Sequence, residues 1–84
     1  MPENPRVLIV LGSTSDEEVA KKAEDVLTEF GIEYEVAILS AHRNPEGTAR
    51  IARLAVGHGV KVIIAGAGLA AALPGVLAAH TTLP

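Results

Sequence analysis

A chain of 84 residues suits one small domain, and 49% hydrophobic content gives it a sizeable core to bury. A net charge of -3, with no basic cluster beyond Lys21-Lys22, excludes a nucleic-acid surface and leaves a small molecule as the expected partner. The absence of cysteine excludes a disulfide framework, a thiolate metal site and a cysteine nucleophile.

Only Phe30 and Tyr34 are aromatic, so the core must be built from Val, Ile, Leu and Ala, as in parallel α/β sheets covered on both faces. The N-terminus, Met1 to Pro5, lacks a basic region followed by an apolar one, and no apolar run reaches membrane-span length. The chain therefore reads as a cytoplasmic protein with no membrane partner.

In chain order, strand and helix patterns alternate. Arg6 to Leu11 is an apolar, β-branched run expected to form a buried strand, and Gly12 is expected to relieve the turn that follows. A helix from about Asp16 to Phe30 would place Val19, Ala23, Val26, Leu27 and Phe30 on its inward face, with Gly31 as its stop. Ser15 and Glu18 have the spacing of a capping box, which would leave the amides of Ser13 to Asp16 pointing outward. Ile32 to Leu39 is the second strand. Asn44 then caps a second helix with Pro45 at its first position, and Ala49, Ala52, Ala55 and Val56 form the apolar stripe. Gly57-His58-Gly59 ends it. Val60 to Ala65 is the third strand, followed by a Gly/Ala stretch and a short helix from Pro74. Right-handed crossovers predict one α/β domain over residues 1–84, with a parallel sheet in the order 2-1-3 and ligands beyond the carboxyl ends of its strands.

Three segments leave those carboxyl ends: Gly12 to Asp16, Ser40 to Pro45, and Gly66 to Gly75. The first is a helix start whose amides and dipole favour an anion, with hydroxyls at Ser13, Thr14 and Ser15 as added donors. Asp16 either accepts from a ribose hydroxyl or, with Glu17, complements the helix dipole. In the second, Arg43 can grip a phosphate or carboxylate with paired hydrogen bonds, and His42 belongs to the residue type that exchanges protons near neutrality. Both can also serve only to cap or solvate a loop.

Together these segments carry a resemblance. Gly12-Ser13-Thr14-Ser15-Asp16, Ser40-Ala41-His42-Arg43 with Pro45, and Ala65-Gly66-Ala67-Gly68 followed by Ala70-Ala71 and Leu73-Pro74-Gly75 resemble the signature motifs of the PurE family of N5-carboxyaminoimidazole ribonucleotide mutases. Three motifs agree in order and in the elements between them, which no single glycine loop would establish. The resemblance implies a flavodoxin-like three-layer fold and a homo-oligomer that needs neither metal nor organic cofactor. It implies transfer of a carboxyl group from N5 to C4 of an imidazole ribonucleotide in purine biosynthesis. His42 would be the catalytic acid/base. Ser13, Ser15, Asp16, Ser40, Arg43, Gly66, Ala67 and Gly68 would bind the ribonucleotide, with Arg43 on its phosphate and the glycines close to the ring.

Two features depart from the family pattern. The third motif has Leu69 and Ala72 where a glycine and a histidine are common, which puts proton transfer on His42 alone. The chain also reads as a half-length form, ending at Thr81 to Pro84 where a further strand is expected, so one wall of the pocket would be missing and the edge of strand three left unpaired. The residues fit a mutase, a carboxylase of the same family, a pyridinium mononucleotide carboxylase, or a non-catalytic assembly module with a relic phosphate site. His58 and His80 read as helix-end residues, the three histidines lack metal-ligand spacing, and Glu24, Asp25, Glu29, Glu33 and Glu35 read as solvated faces.

Overall fold

The computed structural model describes residues 5–68 and 72–84 and contains three strands alternating with three helices. β1 (Val7–Leu11) leads through a 3₁₀ turn, Thr14–Asp16, into α1 (Glu17–Glu29). β2 (Tyr34–Ile38) leads to α2 (Pro45–Ala55), which tightens into a second 3₁₀ turn, Val56–His58, and β3 (Val62–Gly66) leads to α3 (Leu73–Ala79). The sheet is parallel in the order β2-β1-β3, with Ile9 opposite both Val36 and Ile64. Leu69, Ala70 and Ala71 of the third motif lie outside the described residues.

The central position of β1 explains its unbroken apolar sequence. Leu8 and Val10 project to one face and pack with Ala52, Ala55, Val60, Leu73 and Leu77 beneath α2 and α3. Val7, Ile9 and Leu11 project to the other and pack with Ala20, Leu27, Tyr34 and Val36 beneath α1. Helices on both faces of a parallel sheet make the arrangement flavodoxin-like, in three layers.

Local chemistry sets the ends of the elements. Asn44 Oδ1 accepts from the Gly47 N–H at 2.9 Å and Pro45 opens α2. A Cβ on residue 47 would fall 2.5 Å from Asn44 Nδ2, so glycine there leaves room for the cap. The fully buried Thr48 donates its hydroxyl to Asn44 O at 2.9 Å, satisfying a polar group inside the core. Gly31 (φ 69°) and Gly59 (φ 87°) adopt the left-handed conformation that ends a helix.

Several expectations are corrected. Gly12 has no positive φ, and a Cβ there would meet its nearest atoms only at 3.8 Å, so the first turn does not require glycine for its backbone. β3 starts at Val62, because the Val60 N–H closes onto Ala55 O at the end of α2. Residue 73, not Pro74, opens α3.

The largest difference concerns α1. Ala20 is buried and Leu27 half-buried against the sheet, whereas Val19 and Phe30 are each 73% exposed and Val26 is exposed too. The helix packs Ala20 and Leu27 with Tyr34 and Val36, and Val19 lines the space beside Ile64 of β3, with Val26 and Phe30 on the same helical flank as Val19. Val56 is likewise exposed at the end of α2, although Ala49, Ala52 and Ala55 are buried as expected. The β3 edge is not bare, since Ile63 N–H donates to Pro84 O at 2.9 Å.

Candidate functional site

The parallel sheet carries the loops after β1, β2 and β3 to one rim. They enclose a cavity of about 290 Å³ lined by Gly12, Ser13, Ser15, Asp16, Ser40, Ala41, His42, Ala67, Gly68, Ala72 and Leu73. That volume is at the lower end of the usual range for small-molecule pockets, about 300–1,000 Å³.

The first loop is built differently from the expected capping box. Asp16 Oδ2 accepts from the Ser13 N–H at 3.2 Å, and the Asp16 N–H donates to Ser13 O at 3.1 Å. The box is thus Ser13 with Asp16, at the mouth of the 3₁₀ turn, and not Ser15 with Glu18. Two amides of the loop are consequently used internally, and those of Thr14 and Ser15 have no partner among the described residues. Ser13 Oγ and Ser15 Oγ stand 2.6 Å apart, so one hydroxyl donates to the other.

In the second loop the Arg43 N–H donates to Ser40 Oγ at 3.2 Å and the Asn44 N–H to Ser40 O at 2.7 Å. Ser40 therefore pins the turn that presents His42, which is exposed and lines the cavity. Arg43 is exposed as well, but it is not among the lining residues.

In the third loop Ala67 and Gly68 reach the cavity, whereas Gly66 belongs to β3. Gly66 O accepts from the Gly12 N–H at 3.0 Å, and a Cβ on Gly66 would come within 3.0 Å of Leu11 Cδ2. Its lack of a side chain serves sheet packing.

Seven of the nine residues singled out from sequence line one cavity: Ser13, Ser15, Asp16, Ser40, His42, Ala67 and Gly68. Gly12, Ala41, Ala72 and Leu73 complete the lining and carried no polar signal in the sequence. His58 is exposed at the end of α2, and His80 Nδ1 lies 3.3 Å from Arg53 Nη1 at the end of α3, both away from the cavity. Among the described residues no group of His, Asp and Glu could hold a metal ion, and no helix is long and apolar enough to cross a membrane.

A doubly wound parallel sheet with three loops converging on a small cavity beyond its strand ends defines an α/β domain of the flavodoxin-like class. Residues 6–84 match the family model described as AIR carboxylase, and the chain belongs to that family. It is 54% identical over 80 residues to an N5-carboxyaminoimidazole ribonucleotide mutase of Thermotoga maritima, covering 95% of this chain and 47% of that one. It is 52% identical over 82 residues to the protein of the same name in Pyrococcus horikoshii, covering 98% and 46%. It is also 51% identical over 82 residues to a phosphoribosylaminoimidazole carboxylase of Schizosaccharomyces pombe, covering 98% of this chain and 15% of that one. The chain thus spans about half the length of the mutases it matches.

Proposed function

We propose that the chain carries the substrate site of an N5-carboxyaminoimidazole ribonucleotide mutase, an isomerase of purine biosynthesis acting on a small ribonucleotide in the cytoplasm. The observation that supports this reading most directly is the single cavity shared by Ser13, Asp16, Ser40, His42 and Gly68, one loop from each strand. The amides of Thr14 and Ser15, the Ser13 and Ser15 hydroxyls and the Arg43 guanidinium are the groups offered to the ribose phosphate. Asp16 holds its own loop through Oδ2, which leaves Oδ1 for a ribose hydroxyl. Ala67 and Gly68 present little bulk, so the imidazole ring and its carboxyl group can approach the backbone.

In the transfer, the bond between N5 and the carboxyl carbon breaks and a bond from C4 to that carbon forms. The proton on C4 leaves to His42, and a proton returns to the exocyclic nitrogen. The transfer is redox-neutral and balances without a second reagent, and this reading invokes neither a metal nor an organic cofactor. His42 is exposed at the cavity mouth, where it can meet a bound ring. The protein is read as a homo-oligomer, supported by the exposed apolar residues Leu54 and Val56 at the end of α2.

The similarity to the Schizosaccharomyces pombe carboxylase supports a second reading, in which free carbon dioxide is added at C4 by the same residues. An assay of the purified chain for interconversion of the N5- and C4-carboxylated imidazole ribonucleotides tests the proposal. Conversion of the N5-carboxylated ribonucleotide without added bicarbonate supports the mutase, and bicarbonate-dependent formation of the C4-carboxylated product from the uncarboxylated ribonucleotide supports the carboxylase. A chain that binds the ribonucleotide without converting it is a binding module only.

A further inference from the structure

The stripe of β2 that faces α2 carries one charged residue. Ala37 and Leu39 on this face pack against the core formed by Leu8 and Val10, while Tyr34 and Val36 turn to the α1 side. The two-residue period of a strand therefore sends Glu35 to the α2 face, and its register opposite Leu8 sets it beside a core residue that is 3% exposed. Charge patterning alone would make Glu35 a solvated residue, yet it is half-buried. Among the described residues its carboxylate has no hydrogen-bond or ion-pair partner, and the one salt bridge joins Lys21 to Asp25.

Glu35 borders a cavity of about 160 Å³ at the amino end of the strands, against the last turn of α2. Pro5, Leu8, Ile51, Ala55 and Val60 give it apolar walls, and no lysine or arginine lines it. Ala55 is the last residue of α2, so the negative end of that helix's dipole lies beside the same space. Carboxylate and dipole both favour a cation. His58 also lines the cavity, and a neutral imidazole offers one more acceptor nitrogen. An apolar cavity of about 150 Å³ is large enough to take up benzene, so the space here suits a body of about six carbons.

We propose that this cavity is a ligand site for a small primary amine in its ammonium form, with a compact apolar body of about six carbons. The body displaces water from Leu8, Ile51 and Val60, and the ammonium donates to the Glu35 carboxylate. The rim cavity lies beyond the carboxyl end of β1 and this one beside its amino end, so the site does not rest on the carboxyl-transfer reading.

The test is an NMR titration of the whole chain with cyclohexylamine at neutral pH, where the amine carries its proton. Cyclohexanol supplies a ring of the same size without the charge, and methylamine supplies the charge without the ring. Cyclohexylammonium should move the resonances of Leu8, Ile51 and Val60 to saturation, and each control should bind more weakly by about tenfold or more. Glu35→Gln keeps the shape of the side chain and should weaken cyclohexylammonium about tenfold while leaving cyclohexanol unchanged. Circular dichroism checks the fold of that variant, and the comparison of the three ligands on the parent chain decides the matter independently of it. Equal binding of cyclohexanol would reduce the site to an apolar hollow, and unchanged affinity in Glu35→Gln would remove the carboxylate from it. Either result overturns the proposal. So does a titration in which cyclohexylammonium leaves these three residues unmoved, or movement that follows chain concentration without amine, which would assign the cavity to a second copy.

Discussion

The Ser13 N–H donates to the Asp16 carboxylate at 3.2 Å, and this bond decides what the first loop can offer a ligand. It removes one amide from the anion-binding set and places a negative charge at the cavity wall. On the proposed reading, the loop would suit a group that carries both a phosphate and a hydroxyl better than a bare anion. Crystals grown in phosphate or sulfate should show the anion displaced from Asp16 toward the Thr14 and Ser15 amides and Arg43. An anion found only at Lys21-Lys22 would remove the phosphate assignment.

Asp16→Ala breaks the box and should lower stability by about 1 kcal/mol in urea unfolding, the usual value of a helix-start cap. Asp16→Asn keeps an acceptor oxygen and should recover most of that loss. If the two variants are equally stable, the bond to Ser13 contributes nothing to the fold.

His42→Asn should abolish carboxyl transfer and leave the melting temperature within about 2 °C of the parent, because an exposed side chain contributes little burial. A variant that unfolds would assign His42 a structural role.

Asn44 and Gly47 form a coupled pair, since a Cβ on residue 47 would clash with the Asn44 amide, 2.5 Å from its Nδ2. Asn44→Ala should cost about 1 kcal/mol. Gly47→Ala alone should be close to neutral, because the gain in helix propensity of about 1 kcal/mol offsets the lost cap. In the Asn44→Ala background, Gly47→Ala should instead stabilise by about 1 kcal/mol. Additive behaviour in this double-mutant cycle would argue that the cap tolerates the methyl group.

Light scattering at micromolar concentration should give a mass above that of one chain. Leu54→Glu together with Val56→Glu should shift it toward the monomer, since both residues are exposed at the end of α2. A parent chain that already scatters as a monomer contradicts the homo-oligomer.

The sequence by itself determined the elements and their order. The apolar run of β1, the Asn44-Pro45 helix start and the stops at Gly31 and Gly59 are local signals that depend on backbone geometry close to each residue. The strand order followed from handedness, and with it the gathering of three loops at one rim. Only tertiary structure decided how residues on different elements share space. It paired Asp16 with Ser13 in place of Glu18 with Ser15, because the chain turns through a 3₁₀ segment before α1 begins. It gave Gly66 a packing role against Leu11 and set Arg43 outside the cavity lining. It also turned Ala20, and not Val19, toward the sheet. A helical apolar stripe gives the period of burial, but which flank is buried depends on the strands beneath the helix, and here α1 rests on β1 and β2 with the space over β3 open beside it.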